Sequence, residues 1–160
     1  MASIRALRGL RQTLRAFPAA PSMRRSMATA SRPVSATGIL FPVWSGRCGF
    51  AVNEVARRHG DFAMAGAVVA VELDTNDRVR RCAIAMFGMG PAARRAHAAE
   101  SELVGSQLDS IDLEEIGRCA VRELDAVVGD AHVPEEYRRR IGAVVVERAL
   151  REAVQEARDG

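Results

Sequence analysis

Residues 62–89 contain two long apolar segments of β type, separated by a short polar connection. Residues 62–73 are rich in valine and alanine, whereas residues 78–89 first alternate arginine with apolar residues and are then apolar on both faces. The four residues between them, 74–77, have a length found in hairpin connections. The pattern predicts an antiparallel hairpin, and because two strands are not stable alone, other elements must cover it.

The residues that follow the hairpin predict three helices. The first spans residues 92–104, and the second begins at Ser110 or Asp112, either of which can cap it, and runs to about residue 128. The third begins at Pro134, because proline is favoured in the first turn of a helix, and runs to about residue 157. The predicted fold class is therefore α+β, a small antiparallel β-sheet of about three strands covered on one face by a three-helix layer.

The segment before the hairpin is predicted to contain one short strand and one short helix. Residues 39–44 include Pro42 and are interpreted as an edge strand or an extended lead-in, followed by a turn at residues 45–49. Residues 52–58 are predicted to form a helix of one to two turns. It ends at His59 and Gly60, where glycine can adopt the left-handed conformation of a helix cap.

The N-terminal residues differ in composition from the rest of the chain. Residues 1–47 hold eight arginines and no acidic residue, whereas residues 48–160 hold the other fifteen arginines and all twenty acidic residues. This pattern is typical of a mitochondrial transit peptide, and non-native sequence read from upstream of a truncated gene is the other interpretation. A nucleic-acid-binding arm is disfavoured because no aromatic residues lie among the arginines. We expect residues 1–37 to be a disordered or targeting-like basic segment and residues 38–158 to form the folded domain.

The length and composition indicate one soluble globular domain. Hydrophobic residues make up 48% of the 160 residues and charged residues 27%, and the longest apolar run has the length of a strand, so no membrane span is predicted. Cys48, Cys82 and Cys119 lie far apart, which argues against a disulfide framework and against an iron–sulfur or zinc site. They are interpreted as small buried or half-buried residues in a reducing compartment.

The sequence lacks the common catalytic signatures. It contains no GxSxG, HExxH, Walker or GxGxxG motif. The glycine-rich residues 88–91 lie between a predicted strand and a predicted helix, where backbone amides can bind phosphate. Because Pro91 removes one of these amides, a tight structural turn is the favoured interpretation. Glu54, His59 and Asp61 are close in sequence, but ordinary solvated charges explain them.

Five blocks of sequence between residues 41 and 150 match, in order and spacing, the pattern of one known protein family. The blocks are Phe41-Pro42, residues 53–63 (NEVARRHGDFA), residues 88–91 followed by Arg95 and Glu100, Leu103-Val104-Gly105 with Leu108, and Asp130 with Tyr137-Arg138 and Arg148-Ala149-Leu150. The second block is nearly identical to the family segment EVARRxGDFA. The chain therefore resembles the C-terminal domain of the FAD-binding medium subunit of carbon monoxide dehydrogenase and xanthine dehydrogenase-type molybdenum hydroxylases.

The resemblance implies a role in electron transfer. In this family, electrons pass from two [2Fe–2S] clusters in a small subunit through FAD in the medium subunit to an external acceptor. The residues at the start of the first long strand face the isoalloxazine ring, and by position these are Asp61 and Phe62. Phe62 could stack on the ring, which is worth about 1 kcal/mol, and Asp61 could accept hydrogen bonds from it or bias its electronics. Alternatively, Phe62 is a core residue and Asp61 caps a turn.

The FAD-binding domain that precedes this domain in the family has no counterpart in the sequence. We therefore expect the isolated chain to bind FAD weakly or not at all, and to be inactive although it is part of an FAD-dependent oxidoreductase complex. The expected partners are the iron–sulfur small subunit and the molybdenum-cofactor large subunit, and no nucleic acid. A cytoplasmic location is expected, or a mitochondrial one if residues 1–37 are a transit peptide. The alternative function is a non-catalytic interaction module that docks on partner subunits without binding flavin.

Overall fold

A four-stranded antiparallel sheet forms one layer of the domain. The computed structural model describes residues 43–129 and 133–160, so the predicted segment 1–37 and most of the predicted lead-in lie outside the described residues. The strands lie in chain order across the sheet: β1 (Arg47–Ala56), β2 (Ala63–Leu73), β3 (Val79–Phe87) and the short β4 (Arg94–Arg95). The expected sheet of about three strands thus has a fourth, two-residue strand at its edge.

The hairpin predicted from residues 62–89 is present as β2 and β3. Their register pairs Val69 with Ile84, and both side chains point into the core. The Asp74 carboxylate closes the connection, accepting hydrogen bonds from the backbone amides of Asn76 (2.8 Å) and Arg78 (2.9 Å). These two donors stabilise the ionised carboxylate and lower the pKa of Asp74.

The predicted helix at residues 52–58 is wrong, because residues 52–56 belong to β1, which ends at Ala56. The predicted turn at residues 45–49 is also wrong in its second half, since β1 begins at Arg47. Side chains along β1 alternate between two environments: Ala51 is buried in the core, whereas Phe50 and Val52 are about half exposed on the opposite face. Hydrogen bonding to the full length of β2 stabilises the extended form more than one or two isolated helical turns could.

Three helices cover one face of the sheet, as predicted, and two of them are shorter than expected. Helix α1 (His97–Leu103) starts later than predicted because the residues before it form β4. Helix α2 (Leu113–Arg122) is capped by Asp112, whose carboxylate accepts from the amides of Glu114 and Glu115. It ends six residues before the predicted Val128, whose amide instead donates to the Met89 carbonyl (2.9 Å). Helix α3 (Glu135–Asp159) starts directly after Pro134, as predicted.

The core lies between the sheet and the helices. Its largest fully buried side chains come from β2, β3, α1 and α3: Val69, Val71, Val79, Ile84, Met86, Leu103, Val145, Val146 and Leu150. Helix α3 lies so close to β1 that a Cβ atom on Gly49 would be 1.8 Å from the Ala153 carbonyl oxygen. The α+β class is therefore confirmed, with one face of the sheet packed and the other facing away from the helices. Within residues 43–129 and 133–160, no helix combines the length and apolarity needed to cross a membrane.

Candidate functional site

The two predicted site residues lie in the corner that joins β1 to β2. Gly60 adopts φ = +82°, a conformation that favours glycine, and the Asp61 amide donates to the Arg58 carbonyl (3.1 Å). Asp61 is exposed, and 96% of the surface of Phe62 is accessible. The alternative in which Phe62 belongs to the core is therefore wrong, and the corner presents a solvent-exposed aromatic ring beside a carboxylate.

The corner leads directly into β2, whose side chains point alternately towards and away from the helices. Along β2, Ala65 and Ala67 point into the core, whereas Val68 is exposed on the other side. The pairing with β1 is irregular between Ala63 and Ala65, so the alternation along β2 does not extend back to Phe62. The exposed Arg57 gives the start of the corner a positive charge.

The glycine-rich turn at residues 88–91 supports the corner from behind. Gly88 adopts φ = +74°, and a Cβ atom there would lie 2.5 Å from the carbonyl oxygen of Ala63, the first residue of β2. The Arg138 guanidinium, from α3, donates to the carbonyl oxygens of Gly88 (2.7 Å) and Met64 (3.2 Å). These contacts fit the structural-turn interpretation and fix where β2 starts, which in turn fixes the position of Phe62.

Arg95 and Glu100 form a second anchor, at the edge of β3. The buried Glu100 carboxylate accepts from the backbone amide of Ile84 through Oε1 (2.8 Å). Arg95 binds the same carboxylate through Nε (2.7 Å) and Nη2 (2.8 Å), which raises the pKa of Arg95. The Ala96 amide donates to the Ile84 carbonyl, so both polar groups of Ile84 are satisfied. This pair therefore closes a strand edge and leaves little of the carboxylate available for proton transfer.

The remaining candidate groups are not assembled into a reactive site. Glu54, His59 and Asp61 are all exposed, and no hydrogen bond or ion pair joins their side chains in the described part of the chain. Burial raises the pKa of the Cys82 thiol to about 12, which keeps it protonated and unreactive. Residues 43–129 and 133–160 contain no group of three or more His, Cys, Asp or Glu side chains placed to hold a metal ion.

Cavities in the described part of the chain include two that lie away from the corner. One, of about 230 Å³, lies behind the glycine-rich turn and is lined by Met86, Met89 and Leu124, with the Arg94–Asp125 ion pair (3.0 Å) at its side. The other, of about 490 Å³, is a groove between α2 and α3. Neither adjoins Asp61 or Phe62, so the candidate site is a projecting corner that needs a second surface to enclose a ligand.

The corner fits contact with part of a flavin. Phe62 offers an uncovered aromatic ring, and the Asp61 carboxylate can accept hydrogen bonds from ring N–H groups. Among the described residues, however, we find no glycine-rich loop at a helix N-terminus that could hold the diphosphate of FAD, because the Gly88 turn is packed against Ala63 and Arg138. The described residues therefore offer an exposed ring and a carboxylate at the corner, without a diphosphate-binding loop among them.

Comparison with known proteins assigns the family. The sequence model described as CO dehydrogenase flavoprotein C-terminal domain matches residues 50–153. The chain is 38% identical over 110 residues to 6-hydroxypseudooxynicotine dehydrogenase complex subunit alpha of Paenarthrobacter nicotinovorans, covering 69% of this chain and 37% of that protein. It is 35% identical over 115 residues to caffeine dehydrogenase subunit beta of a Pseudomonas species, covering 72% of this chain and 38% of that protein.

Solved structures give the same result. Carbon monoxide dehydrogenase from Hydrogenophaga pseudoflava superimposes with a TM-score of 0.66 at 26% identity, covering 72% of this chain and 39% of that chain. Reconstituted CO dehydrogenase from Oligotropha carboxidovorans superimposes with a TM-score of 0.65 at 27% identity, covering 72% and 40%. The chain thus spans about two fifths of the length of its relatives. It belongs to the CO dehydrogenase flavoprotein C-terminal domain family, whose members are FAD subunits of molybdenum hydroxylases.

Proposed function

We propose that this domain is the C-terminal part of the FAD-carrying electron-transfer subunit of a molybdenum hydroxylase, and that Asp61 and Phe62 contact the flavin. The observation that carries the proposal is the 96% exposure of Phe62 on a corner held by Gly60 and Gly88. An aromatic ring held in water loses the burial energy that usually stabilises such a residue. Its position is therefore better explained by a partner that covers it in the complete subunit.

Bound FAD would supply the electron-transfer chemistry, and this chain's residues would position and shield it. Stacking of Phe62 on a flavin ring would contribute about 1 kcal/mol, a roughly fivefold change in retention. Asp61, one residue earlier, would place a negative charge beside the ring. A negative charge disfavours addition of electrons, so Asp61 would lower the reduction potential of the flavin.

In the complete complex, the iron–sulfur small subunit would deliver electrons and the molybdenum-cofactor large subunit would oxidise the substrate. The family name and the relatives' roles as subunits of dehydrogenase complexes support this arrangement. No substrate-binding chemistry is then needed in this domain, which agrees with the lack of an assembled reactive site in its described residues. We propose a cytoplasmic location; the mitochondrial alternative depends on residues 1–37, outside the described residues.

The test uses the full chain mixed with the FAD-binding part of a related medium chain. After desalting, flavin absorbance measures how much FAD is retained, and a redox titration measures its potential. We expect Phe62→Ala to reduce retention about fivefold and Asp61→Asn to raise the flavin potential. Tyr137→Ala is the matched control, because Tyr137 is also an exposed aromatic residue but lies on α3 beside Arg140.

The second candidate function is an interaction module that docks on such a complex without touching flavin. Its supporting observation is that the described residues lack a diphosphate-binding loop. This function predicts a stable complex in which Phe62→Ala and Tyr137→Ala leave flavin retention and potential equally unchanged. That result would remove the proposed flavin contact.

A further inference from the structure

A small cavity opens beside the turn that joins β3 to β4. Its volume is about 230 Å³, and its floor is formed by Met86, Met89 and Leu124, which are all buried. Its walls come from residues 90–92 of the turn and from residues 125–126, which follow α2. An apolar cavity of about 150 Å³ is enough to bind benzene. The cavity beside the turn can therefore hold a ring system of benzene size or somewhat larger.

The floor of this cavity is better suited to an aromatic ring than to water. Met86 and Met89 have flexible, polarisable side chains, which adapt to the shape of a ligand and make favourable contacts with ring edges. An ordered water needs about two to four polar partners, and the three side chains of the floor offer no strong hydrogen-bonding group. The chemistry of the floor therefore favours a planar apolar group.

The mouth of the cavity carries one positive and one negative group, side by side. The Arg94 Nη2 atom lies 3.0 Å from Asp125 Oδ2, and both side chains are largely exposed. Ion pairs this exposed contribute little to stability, so the pair can separate without disturbing the fold. Arg94 can then donate to a carbonyl oxygen of a ligand, while Asp125 accepts from a neighbouring N–H group. A carbonyl oxygen next to an N–H group is the arrangement found in an amide.

We propose that this cavity binds a small neutral aromatic amide, with the ring on the methionine floor and the amide group between Arg94 and Asp125. An aromatic carboxylate fits less well because Asp125 repels it, and an aromatic amine cation is repelled by Arg94 in the same way. A plain hydrocarbon ring fills the floor but gains nothing from the two charged groups. The site is separate from the corner at Asp61 and Phe62, so the proposal does not rest on the flavin contact.

The experiment titrates benzamide into the full chain labelled with nitrogen-15 and follows the backbone amides by NMR spectroscopy. We expect saturable chemical-shift changes at Gly90, Asp125 and Ala126, which line the cavity. The dissociation constant should be about 1 mM, because a ligand with so few non-hydrogen atoms gains only modest affinity. Toluene, which lacks the amide, and benzoate, which carries a charge, should each bind at least about tenfold more weakly than benzamide.

Asp125→Ala removes the acceptor at the mouth and should weaken benzamide binding about tenfold, the loss expected for one hydrogen bond to a charged group. Because the Asp125 side chain is 86% exposed, this variant should stay folded, which circular dichroism checks. Asp109→Ala is the matched control. The Asp109 side chain is 81% exposed and pairs with Arg158 at 2.7 Å, and neither residue lines the cavity. The control should therefore leave the affinity for benzamide unchanged.

The absence of chemical-shift changes at benzamide concentrations up to about 10 mM overturns the proposal, and so do changes that map outside the cavity. Toluene or benzoate binding as tightly as benzamide overturns the assigned ligand class. Equal affinities for benzamide in Asp125→Ala and Asp109→Ala have the same consequence, because the carboxylate at the mouth would then make no contact with the ligand. Phe62→Ala should leave benzamide binding unchanged whether or not Phe62 contacts flavin, so the two proposals can fail independently.

Discussion

Replacing Glu100 by alanine should lower the free energy of unfolding more than replacing any exposed charged residue by alanine. Glu100 is buried and its Oε1 accepts from the backbone amide of Ile84 at 2.8 Å, while Arg95 binds both carboxylate oxygens. Alanine leaves the Ile84 amide without its acceptor at the edge of β3. Water is largely excluded as a replacement acceptor for this amide, because Ile84 is fully buried.

The magnitude follows from the two parts of the interaction. A buried amide that loses its acceptor costs about 1–3 kcal/mol. The ion pair adds little, about 0–1 kcal/mol, because half of the Arg95 side chain is exposed and can be hydrated when Glu100 is removed. We therefore expect Glu100→Ala to lower the free energy of unfolding by about 1–4 kcal/mol. Glu100→Gln keeps an oxygen that can accept from Ile84 and should cost about 1 kcal/mol.

Urea denaturation followed by circular dichroism measures these differences. Arg151→Ala is the control: Arg151 is exposed and pairs with Glu147 at 2.7 Å within α3, so its loss should cost less than about 0.5 kcal/mol. The reasoning is refuted if Glu100→Ala is no more destabilising than Arg151→Ala. It is also refuted if Glu100→Gln and Glu100→Ala cost the same, because the hydrogen bond to Ile84 would then contribute nothing.

Three other predictions concern packing, pH and the corner. Gly49→Ala should cost about 1–3 kcal/mol in denaturant unfolding, because its Cβ would collide with the Ala153 carbonyl and displace α3 from β1; an unchanged midpoint would contradict this packing. The Cys82 thiol stays protonated to about pH 12 in the folded state but ionises near pH 9 when unfolded, so stability should fall between these values as pH rises, by at most about 1.4 kcal/mol per pH unit. Cys82→Ala should flatten this alkaline slope, and an identical slope in both proteins would refute the assignment. Phe62→Ser should leave the free energy of unfolding unchanged within about 0.5 kcal/mol, because the ring is already exposed; a larger loss in thermal unfolding would mean that the ring packs on the domain.

The hairpin and α3 could be predicted from sequence because each carries its signal locally. Apolar residues fill both β2 and β3, and Pro134 starts α3. The signal in β1 was misleading: the charged residues before Gly60 resemble the end of a helix. Gly60 instead forms a corner with positive φ. The extended conformation of β1 is determined by its pairing with β2, whose residues are distant in sequence from most of β1. A single-sequence interpretation of local pattern cannot weigh such long-range hydrogen bonds.

The end of α2 was missed for a related reason. Leu124 and Val127, which follow the helix, are still buried, whereas Val128, where the helix was predicted to end, is 56% exposed. The backbone nevertheless leaves the helix at Arg122, and the Val128 amide bonds to the Met89 carbonyl. Periodicity indicates which side chains face the core. It does not indicate the backbone conformation after Arg122, where the hydrogen bond from Val128 to Met89 is a tertiary contact.

The residues that identify the family and the residues that could touch a flavin perform different tasks in this domain. Arg95 and Glu100, two of the matching residues, close the edge of β3, and Arg138 joins the glycine turn to the start of β2. The polar groups of these side chains make hydrogen bonds within the domain. They therefore identify the fold and do not indicate which reaction the protein takes part in. Phe62 lies in the most similar block, yet its ring has no packing role here. A side chain that the fold positions but does not use is the one that a second surface can recognise, which is why the functional proposal rests on Phe62.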